Sequence, residues 1–162
     1  MIEDVSDVKY VHYGSKVYDP EKFKPICNRE SGALPKPRGG LWACRPDAEY
    51  GWKEWCENND FREYKEDDFF MFTINSDKVC VIRSAEEGHE LAKHYGKLVC
   101  INGITYDCME TIDWDEVKHD YDALEIVISD DSDLYYDFYG WDCDSIVVFN
   151  PDVIVPEVVH DH

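Results

Sequence analysis

The chain has 162 residues, 44% of them hydrophobic and 14% aromatic, with 36 acidic and 16 basic side chains and a net charge of −20. That length fits one domain, and the apolar content argues against a disordered chain. The charge argues against a sequence-independent grip on nucleic acid and against docking on an anionic membrane.

No apolar run approaches the roughly 20 residues of a membrane span. Met1-Ile2-Glu3-Asp4 is acidic and lacks a secretory leader's basic start. The seven cysteines include no C-x-x-C pair and no zinc-finger spacing with His. Free, mostly buried thiols, no metal site and a cytoplasmic location are therefore expected. The charge is uneven. Residues 1–45 carry eight basic and six acidic side chains, and residues 46–162 carry eight and thirty. A pocket for an anionic small molecule would sit best in the N-terminal third.

In chain order, alternation over 9–13 predicts a strand ending at Gly14-Ser15. Residues 16–40 hold four prolines and three glycines and read as a long loop of a length that is often functional. Residues 40–44 read as a buried strand. Pro46 suits the first turn of a helix carrying Ala48, Trp52, Trp55 and Cys56 at helical spacing. After a polar loop over 57–68, strands are expected at 69–74 and 78–82, split by Asn75-Ser76-Asp77. Ser84-Ala85-Glu86-Glu87 is a capping box opening a helix to about Tyr95. A strand follows at 98–101, a helix capped by Asp113 runs to about Asp120, and strands follow at 124–128 and 145–149. Residues 158–162 read as a frayed tail. The pattern is a mixed α+β domain over 1–162, with strands outnumbering helices.

Three segments stand out together. Val11-His12-Tyr13-Gly14-Ser15 places a His at a strand end before Gly and Ser. Gly39-Gly40-Leu41-Trp42-Ala43 leads into Tyr50, Trp52 and Trp55. Trp141-Asp142-Cys143-Asp144-Ser145 puts two carboxylates two residues apart, on one face if that segment is extended.

In this order the segments resemble the motifs of the ADP-ribosyltransferases, in the diphtheria-toxin-like branch that includes the poly(ADP-ribose) polymerases. His12 to Ser15 resembles that branch's His-Gly-(Ser/Thr) strand with Tyr13 inserted. Gly40 to Ala43 resembles its Gly-(Ile/Phe)-Tyr-(Phe/Ser) strand with Trp42 at the tyrosine, and Tyr50 or Trp52 falls near its second aromatic. Asp144, opening a β-prone run, stands where the family has glutamate. The resemblance implies a split β-sheet core with a few short helices, and NAD as substrate, with no metal. It implies mono-ADP-ribosyl transfer, or NAD hydrolysis, through an oxocarbenium-like transition state stabilised by a fixed carboxylate.

On that reading Asp144 holds the ribose and faces the developing cation, and Asp142 assists. Trp42 with Tyr50 or Trp52 forms a slot for the charged nicotinamide ring. His12 binds the adenosine-side ribose, and the backbone at Gly14 or Tyr13 holds the carboxamide. Ser15 and Ala43 complete the two binding motifs. Lys36, Arg38 and Arg45 are candidate pyrophosphate partners. Asp is one methylene shorter than Glu, so its carboxylate would stand about 1 Å further back, a misplacement that can cost roughly 10²-fold in rate.

Residues 106–144 hold fourteen acidic side chains and one lysine, and Leu134 to Gly140 is strongly aromatic. That face suits a basic or amphipathic protein acceptor rather than nucleic acid. Two other readings compete. One is a non-enzymatic acidic inhibitor, immunity factor or nucleic-acid mimic. The other is a catalytically inactive transferase fold that only binds.

Overall fold

The computed structural model describes residues 1–28, 36–61, 65–138 and 141–158. The domain is α+β. Its strands are β1 (Tyr10–Tyr13), β2 (Leu41–Ala43), β3 (Phe69–Ile74), β4 (Val79–Ile82), β5 (Gly96–Ile101), β6 (Ile104–Ile112), β7 (Ala123–Ile126), β8 (Ser145–Val148) and β9 (Ile154–Pro156). Its α-helices are α1 (Trp52–Asn58), α2 (Ala85–Tyr95), α3 (Trp114–Asp120) and α4 (Asp133–Asp137). No helix among the described residues is long and apolar enough to cross a membrane.

Two sheets form the body. One runs β1-β3-β9, the other β2-β8-β7-β4, with β4 and β7 parallel and the other pairs antiparallel. The sheets touch where Val11 and Cys44 exchange backbone hydrogen bonds of 2.7 and 3.1 Å. Beyond that bridge β1 and β2 part. β5 and β6 form a separate hairpin, turned by Asn102 and Gly103, both at positive φ.

Period-two alternation divides the core in two. Cys80, Ile82, Leu124, Ile126 and Val147 face a cluster with Leu91, Trp114, Leu134, Phe138 and Trp141. Val79, Val81, Ala123, Ile146 and Val148 face a second cluster with Tyr10, Phe72 and Ile74. Sheet faces that are buried on both sides explain why β4 and β8 read as unbroken apolar runs.

The helix signals at Ser84 and Asp113 act as expected. Ser84 Oγ accepts from Glu87 N at 3.2 Å, and Asp113 Oδ1 accepts from Asp115 N at 3.2 Å. Helix α1 departs from expectation, starting at Trp52 rather than near Pro46. Gly51 is its cap, with Gly51 N donating to Glu54 Oε2 at 3.0 Å. Tyr50 cannot join the helix because its N and O are tied to Asp144, at 3.3 and 2.8 Å.

The tight pair Gly39-Gly40 brings the chain into β2 at φ of 79° and 71°. A Cβ at Gly40 would meet Val147 Cγ2 at 2.6 Å, so both conformation and space require glycine. Strands β6 and β9 and helix α4 are additions to the expected pattern. Among the described side chains six cysteines are free thiols, with Cys44, Cys56, Cys80 and Cys143 buried and Cys27 and Cys100 exposed. Part of the expected loop over 16–40, at 29–35, and the tail from 159 lie outside the described residues.

Candidate functional site

The gap where β1 and β2 part is a cleft of about 210 Å³. Val11, His12 and Tyr13 line it from one sheet. Trp42 and Ala43 line it from the other, with Asp142, Cys143 and Ser145 at the start of β8. Lys36, Trp52 and Trp141 complete the wall. Segments far apart in sequence therefore meet at one place: His12 and Trp42 line it as expected, and Asp144 does not.

His12 fastens the two sides. The antiparallel register from Val11–Cys44 would next pair Tyr13 with Trp42. The His12 ring takes the Trp42 carbonyl instead, at 2.6 Å from Nδ1. A carbonyl only accepts, so Nδ1 carries the proton, and in the neutral ring Nε2 keeps its lone pair. Burial holds the His12 pKa below the usual histidine value, against the opposing hydrogen bond to Trp42.

Trp42 is fixed by its Nε1–H donating to Gly39 O at 2.9 Å, and its ring packs on Trp141 at 4.8 Å between centroids. The Lys36 ammonium stands 4.9 Å from the Trp42 ring centroid. A cationic ring stacking on Trp42 would meet that ammonium, so Trp52 and Tyr13 are the cleft's better faces for it. A second cavity of about 180 Å³ adjoins through His12, lined also by Ser15, Tyr18, Lys22, Gly40 and Phe70. The Tyr18 hydroxyl is buried there and has no hydrogen-bond partner among the described residues.

The two acidic side chains of the third motif separate. Asp142 is half-buried and lines the cleft. Asp144 is 5% exposed and lines a different pocket, beside Arg45, Glu125 and Ser129. Its carboxylate accepts from Ser129 N at 2.8 Å, Ser129 Oγ at 2.5 Å and Tyr50 N at 3.3 Å. The expectation that both acids share a face fails because residues 141–144 are bends and coil, and period-two alternation starts only at Ser145.

Other expected residues fall as follows. Tyr50 is absent from the cleft lining, and Trp52 is the aromatic that reaches it. Arg38 is exposed, with its backbone bridged to Cys27. Arg45 is a correction: it forks onto Glu125 at 2.9 and 2.9 Å and lies away from the cleft. Ser15 lines the second cavity, and its hydroxyl donates to Val17 O at 2.7 Å. Gly14 sits at φ 109° with nothing within 4 Å of a built Cβ, so its glycine serves backbone conformation rather than close approach.

Sequence reasoning missed Trp141, Cys143 and the Glu125 network. A glutamate inside the apolar run Leu124-Glu125-Ile126 was the available signal, since a buried charge needs a partner. Burial pushes the Cys143 thiol well up, and Cys44 up to about 11, so neither is a ready nucleophile. No family model, no curated protein and no solved structure matches the chain.

Proposed function

We propose that this chain is an ADP-ribosyltransferase-like domain that binds NAD in the cleft between its two sheets. One observation carries the reading: His12, Trp42 and Asp142, from three remote segments, line one cavity. The strand order supports it, since the cleft opens at a split between β1 and β2.

The residues present fit the dinucleotide. Trp52 and Tyr13 offer flat faces for a pyridinium ring. His12 Nε2 accepts a ribose hydroxyl. Lys36 and Lys22 suit the pyrophosphate, and Tyr18 supplies a hydroxyl in the second cavity. Asp142 is the carboxylate that faces the ribose as nicotinamide leaves with the electron pair of its bond and water or an acceptor nucleophile, giving up a proton, bonds to the same carbon. Asp144, the residue expected in that role, instead accepts from Ser129 and Tyr50.

NAD at ten times its dissociation constant should stabilise the protein by about 1.4 kcal/mol, raising Tm by about 3–5 °C. Nicotinamide release should follow, and Asp142→Ala should lose at least about 10²-fold of it. Absence of any NAD-dependent shift overturns the reading. The saturation of Asp144 favours a second reading, binding without turnover. It predicts the same thermal shift with no nicotinamide released.

A further inference from the structure

Just outside the cleft, three aromatic rings gather for no reason the core supplies. Trp52 and Trp55 stack at 4.9 Å between centroids with planes 11° apart, and Phe61 stands edge-on to Trp52 at 5.6 Å. None of the three belongs to either core cluster, nor packs against one as a partly buried neighbour. Phe61 is 38% exposed, and both indoles are partly buried. Apolar area of this kind left at a surface marks recognition more often than folding.

The surrounding charge is one-sided. Glu57 and Asp60 are exposed and lie within two residues of Trp55 and Phe61 in the chain, and Lys53 is committed to Glu66 at 2.7 Å. In sequence, 47–68 hold nine acidic and three basic residues. Planar indoles in an acidic stretch of chain suit a planar cation. A guanidinium stacks on an aromatic face and bonds carboxylates at its edge, which an ammonium cannot do in the same geometry.

We infer that the Trp52–Trp55–Phe61 surface docks an arginine side chain of a partner protein. It lies at the mouth of the cleft, because Trp52 belongs to both. The inference does not rest on NAD binding, and the net charge already disfavours nucleic acid as the occupant.

The test uses the full chain, 15N-labelled, at about 0.15 M salt, where long-range attraction is largely screened. It is titrated with a capped Gly-Arg-Gly-Arg-Gly peptide and with versions carrying lysine or citrulline at both arginines. The arginine peptide should shift the indole N–H signals of Trp52 and Trp55. The lysine peptide should bind about threefold or more weakly, and the citrulline peptide should cause no shift. Trp55→Ala and, as a second variant, Phe61→Ala should each weaken the arginine peptide about threefold to fivefold and the lysine peptide by less, narrowing the preference between them.

Equal binding of arginine and lysine peptides overturns the inference. So do shifts confined to the acidic segment 106–144. NAD-dependent thermal stabilisation is measured on the same protein. NAD binding without arginine preference removes only the docking surface, and arginine preference without NAD binding removes only the proposed function.

Discussion

Asp142 and Asp144 are two residues apart, yet they occupy opposite circumstances. Asp142 stands half-buried on a cleft beside His12 and Trp42. Asp144 is closed in and accepts from Ser129 and Tyr50. Nearby, Glu125 is 2% exposed and satisfied by the Arg45 fork and by Tyr10 Oη–H at 3.0 Å. A buried carboxylate with every oxygen engaged is architecture, because withdrawing it for chemistry would strand its donors. A carboxylate at an open wall can meet a ligand without that cost. The comparison separates the molecule into a locked polar network behind β7 and β8 and an open cleft between β1 and β2.

The strongest way to break that division is to attack the network. Arg45→Ala leaves Glu125 buried with only the Tyr10 hydroxyl for company. The expected loss is about 3–5 kcal/mol, read from urea unfolding. A loss below about 1 kcal/mol would mean that the network is solvated and that the two regions do not differ in kind.

The acids themselves give the next largest effect. Asp144→Ala strands the Ser129 and Tyr50 donors and should cost about 2–3 kcal/mol. Asp142→Ala should change stability by no more than about 0.5 kcal/mol. The ligand response should run the other way, with Asp142→Ala losing nicotinamide release at unchanged stability. If Asp142→Ala destabilises as much as Asp144→Ala, both acids are structural and the cleft has no spare carboxylate.

The glycines test the same cleft at finer grain. Gly40→Ala meets both a positive φ and a Val147 methyl, whereas Gly14→Ala meets only the positive φ. Gly14→Ala should cost about 1–2 kcal/mol, and Gly40→Ala more than that. Equal costs would show that β8 yields to the added methyl.

What was legible in the sequence was local. Ser84 and Asp113 cap helices because their partners lie within three residues. The strands at 10–13, 69–74 and 145–148 follow from alternation or continuous apolar runs. What was not legible depends on distant partners. β3 and β4 are neighbours in sequence but belong to different sheets, and no local pattern says so. β9 has Val155 exposed and Pro156 at its end, so it carries no apolar alternation. The start of α1 was misplaced because Pro46 is a valid helix opener until Asp144, 94 residues beyond Tyr50, holds that residue out of the helix. The site divided likewise. His12 and Trp42 were readable as candidate cleft residues, while the placement of Asp142 on the cleft and of Asp144 behind it required knowing where Ser129 lies.

The smallest effect belongs to His12, and it joins the two halves of the comparison. Its pKa in the folded protein is lowered, chiefly by burial, from the ordinary value near 6.5. Between those two pKa values the unfolded chain binds a proton that the folded protein does not, so stability falls as pH drops below about 6.5. The loss is complete once pH passes below the folded value. Carboxylates also titrate at the acid end, so the contribution is read as a difference: His12→Gln should flatten the stability profile between about pH 6.5 and 5 relative to wild type. The same protonation consumes the Nε2 lone pair, while Nδ1 stays on the Trp42 carbonyl. NAD affinity should therefore weaken on the acid side along with His12 titration, and in His12→Gln the affinity should be lower but independent of pH over that range. A wild-type affinity that stays flat from pH 7.5 to 5 would show that the ring only fastens β1 to β2 and accepts nothing from the ligand.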